Sequence, residues 1–224
     1  MSVFNIFLSF FEPKIFKKRT MISIDPSTIS TQERYKIATG SVIPRPIALV
    51  STMSKDGKSN LAPFSFFTIA AYSPLVLVFF PLNYKTGTEL KDTTKNILET
   101  KECVIHIGTE ELAEKINQTS GLYPFGENEF DIADLTPVPS HIVKPFRVKE
   151  CPIHFECKLY TSLEIGEGVG GSKAIFAEVV KAHFNHNLIH DYKISAEKLA
   201  PITRLAGMQW AKLGELFELQ RPEV

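Results

Sequence analysis

The sequence predicts a mainly β fold with flanking helices. Three observations point to it. Ile47-Ala48-Leu49-Val50 is a short apolar run that meets turn chemistry at Lys55-Asp56-Gly57-Lys58, with a return strand from Ser59 onward. Leu75 to Phe80 reads LVLVFF, a continuous apolar strand suited to a two-sided core. Ile153 to Ile165 and Ala174 to Asn185 read as later strands that pair around a Gly-rich connection. With 224 residues, 44% of them hydrophobic, the chain can bury one sizeable core, and no repeat or composition break divides it.

The elements follow in order. Met1 to Phe16 is Phe-rich, with Lys14, Lys17, Lys18 and Arg19 within or after the apolar stretch, whereas a secretory signal carries its basic residues first. The apolar length is too short to span a bilayer. Met21 is the expected natural start, with residues 1–20 an extension and 21–224 a single domain; a weak amphipathic anchor is the alternative. In the first hairpin Asp56-Gly57 supplies the positive φ of a tight turn. The return run Ala62-Pro63-Phe64-Ser65-Phe66-Phe67-Thr68 mixes aromatic bulk, a proline and hydroxyls, which suits a strand end that leaves backbone groups for a ligand.

After a loop rich in Asn, Tyr, Lys, Thr and Gly, Asp92-Thr93-Thr94 opens a helix running through Glu99, with Asp or Thr as its cap. First-turn amides beside Lys91 make a cradle for a phosphate; an ordinary capped surface helix explains the same residues. Cys103 to Ile107 reads as a strand, Glu110 to Gln118 as a helix, Tyr123 to Asp134 as a loop, and Ile194 to Leu219 as mostly helical or irregular.

Composition and motifs exclude several functions. Twenty-five basic against 25 acidic residues leave no global field for nucleic acid. Three cysteines without metal or redox spacing favour reduced, buried thiols and a cytoplasmic protein. Gly166-Glu167-Gly168-Val169-Gly170-Gly171 matches GxGxxG, but a strand pattern follows it where a helix is required, so it reads as a hairpin loop that could still touch a substrate. His183, His186, His190 and Asp191 lie at a strand-to-turn transition and read as polar turn residues in preference to a metal cluster. His106 and His154 read as paired core or interface residues, and Glu127, Glu129 and Asp131 as a solvated acidic loop. No GxSxG elbow or thiol pair suggests acyl transfer or disulfide exchange. Seventeen Phe suit an aromatic-rich interior or a subunit interface.

Against this reading, several short motifs in order resemble one family. They are Pro44-Arg45-Pro46-Ile47-Ala48 leading into Val50-Ser51-Thr52, then Asn60-x-Ala62-Pro63-Phe64-Ser65-x-Phe67, Lys91-Asp92-Thr93-x-x-Asn96-Ile97, and Arg204-Leu205-Ala206-Gly207. Together they span about residues 35–215 and resemble the flavin reductase-like group of FMN-binding split β-barrel proteins, in the branch of flavoredoxins and two-component monooxygenase reductases. One departure is Ala206, where the family's usual Arg-Gly-Gly has a glycine.

The resemblance implies an FMN whose ring lies near the first hairpin and whose phosphate lies near the helix start. Ser51, Thr52 and Met53 would contact the ring, and Asn60, Ala62, Pro63, Phe64 and Ser65 would line its edge and the ribityl chain. Lys91, Asp92, Thr93 and Asn96 would hold the phosphate end. Arg45 is a further phosphate candidate or a surface charge between two prolines, and Asn60 and Ser65 serve equally as strand-end residues that satisfy backbone groups. No catalytic side chain is required, because the flavin carries the hydride chemistry and NAD(P)H would be the co-substrate. The resemblance further implies a homodimer with each cofactor near the subunit boundary, and a possible monooxygenase partner. An FMN-binding electron carrier or redox sensor, and a non-enzymatic dimeric barrel, are the other readings.

Overall fold

The computed structural model describes residues 21–83, 90–124 and 126–222. The extension at 1–20, on which the start-site expectation falls, lies outside the described residues, as does the loop at 84–89. Helix α1, Thr31–Ser41, starts at a capping box in which Ser30 accepts from the Glu33 N–H and Glu33 accepts from the Ser30 N–H. The two-residue strand β1 (Arg45–Pro46) leads into β2 (Ala48–Met53), which pairs with β3 (Ser59–Phe64) from Ala48↔Phe64 to Met53↔Ser59. Gly57 turns that hairpin at φ +81°, a conformation few other residues adopt.

The return run does not continue to Thr68. A bend at Ser65-Phe66 ends β3, and β4 (Phe67–Tyr72) starts anew and pairs with β5 (Leu75–Phe79). After helix α2 (Asp92–Thr100) come β6 (Glu102–Ile107), a 3-10 turn at Glu110–Leu112, α3 (Ala113–Gln118) and α4 (Glu129–Ile132). The short pair β7 (Pro137–Val138) and β8 (Arg147–Val148) precedes the long hairpin β9 (Ile153–Ile165) and β10 (Ser172–Phe184).

The seven-stranded sheet runs β3-β2-β6-β9-β10-β5-β4, so β3 and β4 are its two edges. Yet Phe64 and Phe67 are joined by the Ser65-Phe66 bend alone, and a chain that short spans no more than about 11 Å. The sheet must therefore curl until its edges meet without pairing, which is a split barrel. Register shifts at Phe176/Ala177 and Val179/Lys181 mark where β10 bends against β9.

Strand alternation divides the core in two. Ala48, Val50, Phe64, Phe79, Cys103, Ile105 and Cys157 pack with Ile97 of α2 in one cluster. Ile47, Leu49 and Leu61 point the other way, under Leu112, Ile116 and Phe130 of the helical cover. All three cysteines are free and buried.

The stretch at 194–219 is mostly irregular or helical, as expected, with short strands added. It holds β12 (Lys193–Ile194), paired with β11 (Ile189–His190), then α5 (Ala196–Leu199), β13 (Thr203–Arg204) and β14 (Trp210–Ala211). β13 and β14 form a hairpin that adds to β1, and a two-residue strand leaves no period to read. Among the described residues no helix is long and apolar enough to cross a membrane.

Candidate functional site

Helix α2 begins without a side-chain cap. Lys91 occupies the cap position with φ −62° and ψ 148° and makes no capping bond, while Asp92, expected as the cap, is the first helical residue. The first-turn amides of such a terminus have no intrahelical partner and carry the positive end of the helix dipole.

A buried hydrogen-bond network fixes this terminus to the first hairpin. Asn60 donates to Thr93 Oγ1 at 2.9 Å and to Thr52 Oγ1 at 3.2 Å, and Asn96 donates to the same Thr52 oxygen at 3.1 Å. Thr52 and Asn60 face each other in the β2–β3 register, so one cross-strand pair and one helix face meet. Asn96 Oδ1 and, on the opposite side of β2, Ser51 Oγ are buried without a partner.

Beside the network lies a cavity of about 110 Å³. Asn60, Ala62 and Pro63 of β3 form one wall, Lys91, Asp92 and Thr93 another, and Thr119 to Tyr123 with Glu129 the third. The Lys91 ammonium stands 5.7 Å from the Phe64 ring centroid, and burial lowers its pKa. Burial raises the Asp92 pKa, against the pull of Lys95.

Glu129 corrects the sequence reading. It is not solvated: it is 8% exposed and accepts the Leu61 N–H at 2.9 Å, inside a helix that the composition of Tyr123–Asp134 concealed. Because β3 is a sheet edge, its outward amide needs such an acceptor. Burial raises the Glu129 pKa, the Leu61 N–H opposes the rise, and Asp92 adds to it.

The remaining candidates fall elsewhere. Arg45 is buried and spends its guanidinium on backbone carbonyls, Thr39 O and Val42 O at 2.7 Å and Leu205 O at 2.8 Å. It joins the end of α1 to the segment after β13, with Ser65 Oγ 3.5 Å from its Nε. Phe64 packs on Phe79 with centroids 5.1 Å apart. Met53 lines a separate cavity of about 420 Å³ at the hairpin turn with Ser54, Lys55 and Lys144. Ala206 comes within 3.9 Å of where a Cβ on Gly40 would lie, ordinary packing for the residue that departs from Arg-Gly-Gly.

The Gly-rich loop at the β9–β10 tip is held by Asn83, whose side-chain amide donates to Gly168 O at 3.1 Å. It lines a cavity of about 370 Å³ with Thr31, Tyr35 and Phe66. His183 pairs with buried Glu156 at 2.7 Å, whereas His190 and Asp191 meet on the surface. His106 donates from Nδ1 to Leu49 O at 2.8 Å while its Nε2 accepts the Val148 N–H at 3.0 Å, which fixes its tautomer. Among the described residues no three His, Cys, Asp or Glu side chains converge as a metal site.

Residues 39–195 match the family model described as a flavin reductase like domain. The chain belongs to the flavin reductase-like family. This family implies a flavin as cofactor or substrate. Among solved structures, this flavin reductase-like chain is 39% identical to nitrilotriacetate monooxygenase component B from Bacillus cereus, with TM-score 0.86 over 90% of this chain and 100% of that one. It is 28% identical to the Pseudomonas fluorescens 2-nitrobenzoate 2-nitroreductase NbaA, with TM-score 0.80 over 90% and 96% of the two chains. The uncharacterized protein BH2278 of Halalkalibacterium halodurans is 37% identical over 91% of this chain and 98% of its own length.

Proposed function

We propose that the chain is an FMN-dependent, NAD(P)H-oxidising reductase of the flavin reductase-like type that can pass reduced flavin to a partner monooxygenase. The observation that carries this reading is the small cavity at the uncapped start of α2. Its 110 Å³ suits a phosphate, and is too small for a whole flavin nucleotide, since pockets that engulf such ligands run to several hundred Å³ or more. The residues present fit that end of FMN: the first-turn amides of Asp92 and Thr93 and the Lys91 ammonium supply donors and positive charge. The ribityl chain would then run along Asn60, Ala62 and Pro63, and the ring would rest toward Ser51, Thr52 and Met53.

Bound FMN would supply hydride acceptance and donation. The chain's residues bind, orient and exclude water. Thr52, Asn60, Thr93 and Asn96 hold β2, β3 and α2 in one arrangement, so the phosphate and ring positions stay at fixed separation. The nicotinamide needs only a face to stack on, and no side-chain nucleophile.

A homodimer is part of the proposal. Edge strand β4 exposes Ile69 at 66% and Tyr72 at 91%, an apolar edge that a second copy would cover. The likeness to nitrilotriacetate monooxygenase component B supports the partner monooxygenase. Buried free thiols support a cytoplasmic setting.

Anaerobic stopped-flow mixing of the FMN-loaded chain with NADH and with NADPH tests the activity. Saturable bleaching of the flavin by at least one of them is expected. A yellow protein that neither nucleotide bleaches would replace the reductase with an electron carrier or redox sensor.

A further inference from the structure

A carboxylate that lines an anion's cavity poses an electrostatic problem. Glu129 is 8% exposed, lines the same cavity as Lys91 and the first turn of α2, and is anchored there by the Leu61 N–H at 2.9 Å. A phosphate dianion brought beside an ionised carboxylate in a buried site meets strong like-charge repulsion. The repulsion vanishes when the carboxyl carries a proton, and a neutral carboxyl can also donate a hydrogen bond.

We propose that Glu129 is a proton-linked ligand of the phosphate: a proton from solvent joins its carboxylate as the dianion binds, and the resulting O–H donates to a phosphate oxygen. This rests on the FMN reading above.

The surrounding charges favour Glu129 for this role. Burial raises the pKa of Asp92, on the first turn of α2, but Lys95 one turn on and the positive end of the helix dipole oppose that rise. That same Asp92 charge pushes Glu129 toward its neutral form, adding to the effect of burial. Lys91 ahead of α2 and the Tyr123 hydroxyl after α3 complete the titratable wall of the cavity, the latter donating to Gln118 O at 2.9 Å. Lys58 approaches the turn at Gly126 upstream of α4, and Lys115 pairs with Asp134 beyond its far end.

The test uses Glu129→Gln, which keeps an oxygen to accept the Leu61 N–H. FMN and riboflavin are titrated by flavin fluorescence from about pH 7 to about pH 9, where a phosphate monoester with its second pKa near 6 is already dianionic. In the wild type FMN affinity should fall by up to about tenfold per pH unit as the proton becomes harder to supply. In Glu129→Gln the FMN profile should flatten, and riboflavin should be flat in both. Calorimetry in two buffers of different ionisation enthalpy should show proton uptake with FMN in the wild type and none in the variant. Loss of the Lys91 proton would weaken FMN in the same direction, but that slope would survive in Glu129→Gln. An unchanged slope and unchanged proton uptake in the variant would overturn the inference alone; a wild type that takes up neither flavin would overturn the FMN reading with it.

Discussion

Asn60 donates to Thr93 at 2.9 Å, a bond that spans from the edge strand β3 to the first turn of α2 and joins two of the three walls of the small cavity there. Its other donor reaches Thr52, so one amide holds three elements. Replacing Asn60 by Leu leaves buried hydroxyls short of partners. The expected cost is about 1–3 kcal/mol in urea unfolding, with FMN affinity lowered because the helix start loses its position. Unchanged stability and affinity would remove the network from the account.

Lys91 supplies the side-chain cation of the cavity. Lys91→Met keeps the stem beside Phe64 and deletes the charge. FMN should bind about tenfold or more weakly, the worth of one charge-assisted hydrogen bond, while riboflavin, which lacks the phosphate, should change little. Equal losses for the two flavins would place Lys91 at the ring instead.

Arg45 is expected to act on stability. Its guanidinium donates to Thr39 O, Val42 O and Leu205 O, which ties α1 to the chain 160 residues later. Arg45→Met should destabilise by on the order of 3 kcal/mol, since bonds from a charged donor are among the stronger ones and the carbonyls lose their partner. FMN affinity of the folded variant should be retained. A selective loss of FMN over riboflavin would restore Arg45 as a phosphate ligand.

The histidine face beneath the segment before β9 should make the fold acid-labile. Burial pushes the Glu156 pKa up, but N–H groups of His141, Ile142 and Val143 and the His183 ring outweigh it and hold the carboxyl at about 2, below its ordinary 4.5. That stabilisation is complete above about pH 4.5 and is lost as pH falls toward 2. Burial brings His154 down to about 4 and His106 to about 3, from 6.5, so the unfolded chain binds protons first and stability falls from pH 6.5 downward. Urea midpoints should decline across this whole range. His154→Phe should flatten the slope above pH 4, and Glu156→Gln the slope below 4.5.

What the sequence disclosed depended on pattern length. The hairpin around Asp56-Gly57, the LVLVFF strand, α2 and the β9–β10 pair all carry runs or turn signals that local chemistry enforces, and all are present. Helix α1 was overlooked although Ser30 and Glu33 spell a capping box, because its face buries only Thr39 and so lacks an apolar period. Strand β13 escaped because its pairing with β1 is long-range, and β14, which pairs with β13, because two residues carry no period. At the site, Asn60, Ala62, Pro63, Lys91, Asp92 and Thr93 do line one cavity. Glu129 was missed because its neighbours Glu127 and Asp131 make the segment look solvated. Its partner is an edge amide 68 residues away, which only the sheet order reveals.

The most direct measurement is a titration of FMN and riboflavin into the purified chain, followed by flavin absorbance and fluorescence. The account expects saturable uptake of FMN, tighter than riboflavin because the start of α2 would hold the phosphate. Absence of saturable uptake of either flavin, or equal affinity for both, would contradict it.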